Sequence, residues 1–223
     1  MDIRRASMHD YSLFTRTTDN DFTTILVYVD DLVLAGNNSG EIERIKGLLD
    51  DAFKIKDLEK LKYFIGMKVA RNNFGIALHQ QKYMLDLLSK FDMINAKLVS
   101  TPMDYSTKLS KDCIALFSDV SLYRIQVGHL LYFINTRPDI SFIVGKLSQC
   151  LDCPTITHHQ AALRVLKYLK LALAQSLFFP TSSNLVSTVY SDSNWAGCPD
   201  TQKSVTGTYF FLGTALVSWK SKK

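Results

Sequence analysis

Two adjacent acids, Asp30 and Asp31, interrupt an otherwise apolar stretch, ILVYV before them and LVLAG after. Neighbouring carboxylates repel one another unless water or a cation compensates, so the pair belongs where the chain leaves a core. Hard divalent cations take carboxylate oxygens and keep several waters. In two-metal phosphoryl transfer such ions activate the attacking oxygen and stabilise the leaving one. A solvated polar turn between two strands is the other meaning of the same pattern. Asp192, in YSDSNWAG, is a further isolated acid after a strand-like run, and a turn or cap aspartate is its plain reading. Cys150 and Cys153 form a CxxC with His158 and His159 close behind, and Cys113 and Cys198 complete four cysteines. A zinc site needs four such ligands. Here there is no second CxxC, and the pair ends the apolar segment KLSQCLDC at helical spacing. Free thiols in a reducing, intracellular compartment are the expectation.

The elements that position these residues follow from pattern. Phe22 to Val29 is β-branched and aromatic, and LVLAG returns after the acids, so Asp30 and Asp31 fall at a hairpin tip. Asn38 lies three residues before Glu41, a capping-box spacing, and Ile42, Ile45, Leu49, Ala52 and Phe53 recur with helical period. The stretch LKYFIGMKVAR alternates, with Leu61, Tyr63, Ile65, Met67 and Val69 on one face. A turn at residues 72–75 sends IALHQ back against it. Residues 81–176 read as helical, and residues 177–223 as strands. The expected late strands are Leu185–Tyr190, Val205–Leu212 and Leu216–Trp219. On the helix near 158–173, Ala162, Val165, Leu166 and Leu169 make a buried face, with Arg164, Lys167 and Lys170 nearly opposite. A basic solvated face is the ordinary meaning of those cations, and contact with phosphates the functional one.

Composition bounds the rest. The chain has 223 residues, 47% apolar and 21% charged, enough for a sizeable core. A net charge of +5 is compatible with nucleic acid and does not by itself indicate it. No run of 18 apolar residues exists, so no membrane partner is expected, and the first residues lack the apolar core of a secretory signal. Nothing in the pattern speaks to oligomeric state.

The YVDD tip with its apolar flanks resembles the polymerase hairpin of reverse transcriptases. The wider text narrows this to the Ty1/copia class of retrotransposon polyproteins. FKIKDLEKLKYFIGMKVA, GIALHQQKYMLDLL, STPMD, TRPDISF, HHQAALRVLKYLK, SDSNWAGC and VSWKSKK run in family order from about Ser12 to Lys223. Similar open reading frames occur in plant genomes, mitochondrial copies included, as decayed fragments. The resemblance implies an α+β fold in three parts. Residues 1–80 would be a partial palm with the YVDD hairpin and a primer-grip-like hairpin. Residues 81–176 would be a helical thumb and connection, and residues 177–223 the start of an incomplete RNase H-like antiparallel sheet.

It also implies roles. Asp30 and Asp31 become catalytic, Mg²⁺-binding carboxylates, and Tyr28 lies near the incoming nucleotide or primer end. Phe64, Ile65 and Gly66 become part of the hairpin that holds the primer terminus. Arg164, Lys167 and Lys170 acquire a phosphate partner in an RNA/DNA template–primer. Asp192 becomes the first metal-binding, catalytic aspartate of RNase H. Asn194, Gln202 and Glu59 depart from the family pattern, where a second acid, an arginine and a glycine are usual. Of the acids before Tyr28, which are Asp2, Asp10, Asp19 and Asp21, none matches the further palm aspartate. The expectation is therefore a fragment of a polyprotein whose parent performs RNA-directed DNA polymerisation, inactive alone. A retained nucleic-acid-binding module and a metal-dependent RNase H-like nuclease centred on Asp192 are the alternatives.

Overall fold

The computed structural model describes residues 4–5, 10–107, 109–110, 115–195 and 201–222. The chain forms two compact units, Met1–Leu61 and Lys62–Lys223. Both mix helices with antiparallel sheets, an α+β fold.

In the first unit, β1 (Arg4–Arg5), β2 (Leu13–Thr17), β3 (Phe22–Tyr28) and β4 (Asp31–Gly36) form one antiparallel sheet in chain order. Alternation along β3 buries Thr23 and Ile25 on one face, the period-two pattern of a half-buried strand. The base of the β3–β4 hairpin is closed by asparagines. The Phe22 amide donates to Asn37 Oδ1 at 2.9 Å, and Asn38 Nδ2 donates to Asp21 Oδ2 at 2.8 Å. Asn38 also caps α1 (Ser39–Phe53) by accepting from the Glu41 amide at 3.1 Å. The apolar stripe expected on α1 is only partly covered. Ile45 is buried, whereas Phe53 is 72% exposed. Lys54 at φ 55° ends the helix, its amide donating to the Asp50 carbonyl at 2.8 Å.

The second unit is centred on a helical core. Strands β5 (Tyr63–Phe64), β6 (Met67–Asn72) and β7 (Gly75–His79) precede α2 (Gln81–Lys90) and α3 (Val120–Phe133). A 3₁₀ turn at Pro138–Ile140 leads into α4 (Ser141–Leu147), and α5 (Ile156–Leu171) follows. Met84, Leu87 and Leu88 of α2 interlock with Val127 and Leu130 of α3, Ile143 and Val144 of α4, and the expected α5 face. Ala162, Val165, Leu166 and Leu169 are each at most 1% exposed.

Two features differ from the sequence pattern. The alternating run 61–71 is two strands, because a tight turn at Ile65–Gly66 pairs Phe64 with Met67. After α5, β8 (Leu177–Pro180) returns to pair with β7, completing the sheet β5-β6-β7-β8. The hairpin of residues 63–79 lies in the second compact unit.

The last sheet is β9 (Ser187–Asn194), β10 (Val205–Leu212) and β11 (Ala215–Lys222), ordered β11-β10-β9. Leu185 and Val186 precede β9 and are exposed, and the strand runs on to Asn194 because Val205 to Gly207 extend the ladder. The sheet is anchored through β11, which packs against β8 and α4. Trp219 Nε1 donates to the Ile134 carbonyl at 3.0 Å, while Tyr209 remains 38% exposed. Among the described residues no helix is long and apolar enough to cross a membrane.

Candidate functional site

The sharpest site is the β3–β4 tip. Tyr28 pairs with Asp31, leaving Val29 and Asp30 as a two-residue turn. Val29 takes φ 49°, in the left-handed region. Tight hairpin turns need positive φ there and usually place glycine. A β-branched residue in that region is strained by about 1–3 kcal/mol, a cost tolerated where geometry serves a site. Asp30 and Asp31 are both exposed, as is Tyr28 at 47%. Two carboxylates thus project at one end of a rigid sheet.

Among the described residues the other acids of this unit do not join them in a metal-binding group. Asp19 and Asp21 lie at the opposite end of β3, a strand's length away. Asp10 precedes Ser12, whose carbonyl accepts from the Val27 amide, so it lies toward the tip end. Its carboxylate turns back on Ser12, accepting from the amide at 2.9 Å and the hydroxyl at 2.6 Å. Those bonds hold Asp10 below the ordinary carboxylate range. Hard oxygen donors at the tip fit Mg²⁺ in kind, as one part of a ligand set. Among the described residues no group of three His, Cys, Asp or Glu side chains gathers to hold a metal.

The turn after β5 carries the expected primer-binding residues. Ile65 at φ 47° and Gly66 at φ 71° are both left-handed, the geometry of a tight primed turn. The Tyr132 hydroxyl of α3 donates to the Ile65 carbonyl. Phe64 is half-buried, and Ile65 is 38% exposed. Tyr132 was not singled out by sequence; only the aromatic run LLYF marked it.

The cations of α5 are partly engaged. Arg164 Nη2 donates to Thr101 Oγ1 at 2.9 Å, and Lys170 Nζ donates to the Ala96 carbonyl at 2.8 Å. Both strap the segment after α2 onto the helix. Lys167 is half-buried.

Asp192 lies inside β9, opposite Gly207, two residues before the strand ends. It is exposed and on the edge strand of its sheet. The nearby Asp200 lies outside the described residues.

Among the described residues no metal-ligating group forms around the CxxC. Cys150 is buried and Cys153 exposed, both as free thiols, while Cys113 and Cys198 lie outside the described residues. His158 is buried in the α5 capping box with Thr155, and His159 stacks on Phe117 at 4.1 Å.

Comparison with known proteins bears on the chain as a whole. A family model described as "Reverse transcriptase (RNA-dependent DNA polymerase)" matches residues 4–105. The retrovirus-related Pol polyprotein from transposon RE1 of Arabidopsis thaliana is 40% identical over 217 residues, 97% of this chain and 15% of that polyprotein. The one from transposon TNT 1-94 of Nicotiana tabacum is 36% identical over 218 residues, 94% of this chain and 16% of its own length. An uncharacterized mitochondrial protein of Arabidopsis thaliana is 35% identical over 199 residues, 89% of this chain and 82% of that protein. The chain therefore spans less than a fifth of the two polyproteins. No solved structure matches it.

Proposed function

This chain belongs to the Ty1/copia-type reverse transcriptase family, as a segment of a retrotransposon polyprotein, and on that premise we propose that it carries part of an RNA-directed DNA polymerase. The first unit supplies one hairpin of the palm. Asp30 and Asp31 would hold one side of a metal centre, and Tyr28 would border the primer end or incoming nucleotide. When bound there, Mg²⁺ supplies Lewis-acid stabilisation of the attacking and leaving oxygens. Phe64, Ile65 and Gly66 meet the primer terminus. The helices α2 to α5 act as thumb and connection, with Lys167 best placed among the α5 cations to meet backbone phosphate. Strands β9 to β11 are the opening of an RNase H-like sheet, with Asp192 its first carboxylate.

The observation that carries this reading is the exposed two-residue tip, with a valine held at positive φ beside two acids. The two alternatives have less support. Arg164 and Lys170 are already bonded within the chain, which weakens a stand-alone binding face. Among the described residues no metal-ligating group gathers at Asp192, which weakens a stand-alone nuclease.

The test has two arms. Grafted in place of the matching segment of the RE1 polyprotein, the chain is expected to sustain primer extension on an RNA template with Mg²⁺. Asp30→Asn in that graft should reduce it by about a hundredfold or more, since even slight misplacement at a reacting centre costs that much. The 223-residue chain alone should give no incorporation, because its tip brings carboxylates from a single hairpin. A graft indifferent to Asp30→Asn would overturn the assignment.

A further inference from the structure

The turn at Ile65–Gly66 is held by a side chain that the functional reading leaves unused. Both turn residues sit at positive φ, and a β-branched isoleucine does so against its preference. The Tyr132 hydroxyl donates to the Ile65 carbonyl. It also caps the space above the turn, because a Cβ on Gly66 would lie 2.6 Å from that oxygen. Tyr132 is itself immobilised. Its ring meets Tyr83 edge-on at 4.7 Å. Its carbonyl accepts from Gln80 Nε2 at 3.2 Å, and Thr136 Oγ1 donates to Gln80 Oε1 at 2.6 Å. Gln80 and Thr136 are 4% and 2% exposed, so this bonded pair is shielded from water. In so dry a setting, hydrogen bonds rigidify what they join.

We propose that Tyr132 is a positioning residue that locks the Ile65–Gly66 turn to α3, so that turn and helix present one fixed surface to the recessed 3′ end of a bound duplex. This rests on the primer reading of the turn. It goes further in naming the residue outside the turn that sets its place, and in coupling the turn to the helical body. Tyr132 touches no reacting atom in this scheme. It acts through the Ile65 carbonyl alone.

The test uses the full chain and labelled RNA–DNA duplexes with either a recessed or a flush 3′ end, read by fluorescence anisotropy. The wild type should prefer the recessed end. Tyr132→Phe removes only the hydroxyl and should weaken recessed-end binding by about three- to tenfold, the range for one lost hydrogen bond. Flush-end binding should stay unchanged. Gly66→Ala, which collides with the hydroxyl, should reproduce the loss. Ile143→Val, a core variant on α4, should lower Tm without moving the recessed-to-flush ratio, separating positioning from general destabilisation. Amide exchange at Ile65, Gly66 and Met67 should rise in Tyr132→Phe. A wild-type preference that survives Tyr132→Phe overturns this proposal and leaves the primer reading standing. A wild type that binds both duplexes equally overturns the primer reading and the proposal together.

Discussion

Arg137 and Asp139 join a buried guanidinium to a partly exposed carboxylate. Arg137 is 4% exposed, and its Nε and Nη2 donate to the two Asp139 oxygens at 2.9 and 2.7 Å. The Tyr168 hydroxyl donates to Asp139 Oδ2 at 2.7 Å, and the guanidinium lies 5.4 Å from the Tyr168 ring. Burial pushes the Asp139 carboxyl upward, but the bonds from Arg137 and Tyr168 outweigh it and leave it below its ordinary value. A depressed folded-state pKa means that the pair's stabilisation is present above the unfolded value, about 3.9, and is lost as pH falls through the folded one. Asp139→Asn strands a buried guanidinium and should cost about 3 kcal/mol at neutral pH, measured by urea unfolding. Below about pH 3 the gap between the variant and the wild type should narrow. TRPDISF marked this stretch in the sequence. The pairing partner Tyr168 lies 29 residues on, a distance no local pattern reports.

Among the elements, α5 shows how much a period can reveal. Its four buried positions follow from spacing alone, because a single face of a 3.6-residue helix meets the core. Its start was less visible. Thr155 Oγ1 accepts from the His158 amide at 3.3 Å, while His158 Nδ1 accepts from the Thr155 amide at 3.1 Å. A histidine closes this capping box where glutamate or glutamine is usual, so the sequence pattern does not mark it. Thr155→Ala should cost about 1–2 kcal/mol in chemical denaturation, with Thr155→Ser close to wild type. The turn at Ile65–Gly66 was illegible to alternation for a different reason. Apolar residues at every second position continue straight through it, and isoleucine is a poor signal for positive φ. The YVDD tip was legible because two charges cannot lie inside an apolar strand pair.

At the scale of the whole chain, the last sheet stands out. Val189 is 60% exposed, and Phe210 and Leu212 are each 36% exposed on the same face. β9 lies at the end of the strand order with a single charged residue, Asp192. Edge strands without lysine, proline or cover tend to recruit other strands. The chain should therefore self-associate with rising concentration, and Val189→Lys should suppress this, as read by sedimentation velocity. Unchanged association in that variant would place the contact elsewhere. The α+β character and the late three-stranded sheet could be read from composition and pattern. The pairing of β8 with β7 could not, because LFFP carries no mark of which strand it will meet.

That pairing has a consequence in time. β7 and β8 meet across about a hundred intervening residues, among them every helix of the second unit. Closing so long a loop carries its entropic cost before any ladder bond repays it, so the contact forms late unless the helices first draw its ends together. The helical body is thus the scaffold of its own sheet, and β8 is a latch fastened near the end of folding. Latches of this kind govern escape rather than arrival. Loosening β8, as Phe179→Ala would, should hasten unfolding in stopped-flow traces while leaving the refolding rate nearly untouched.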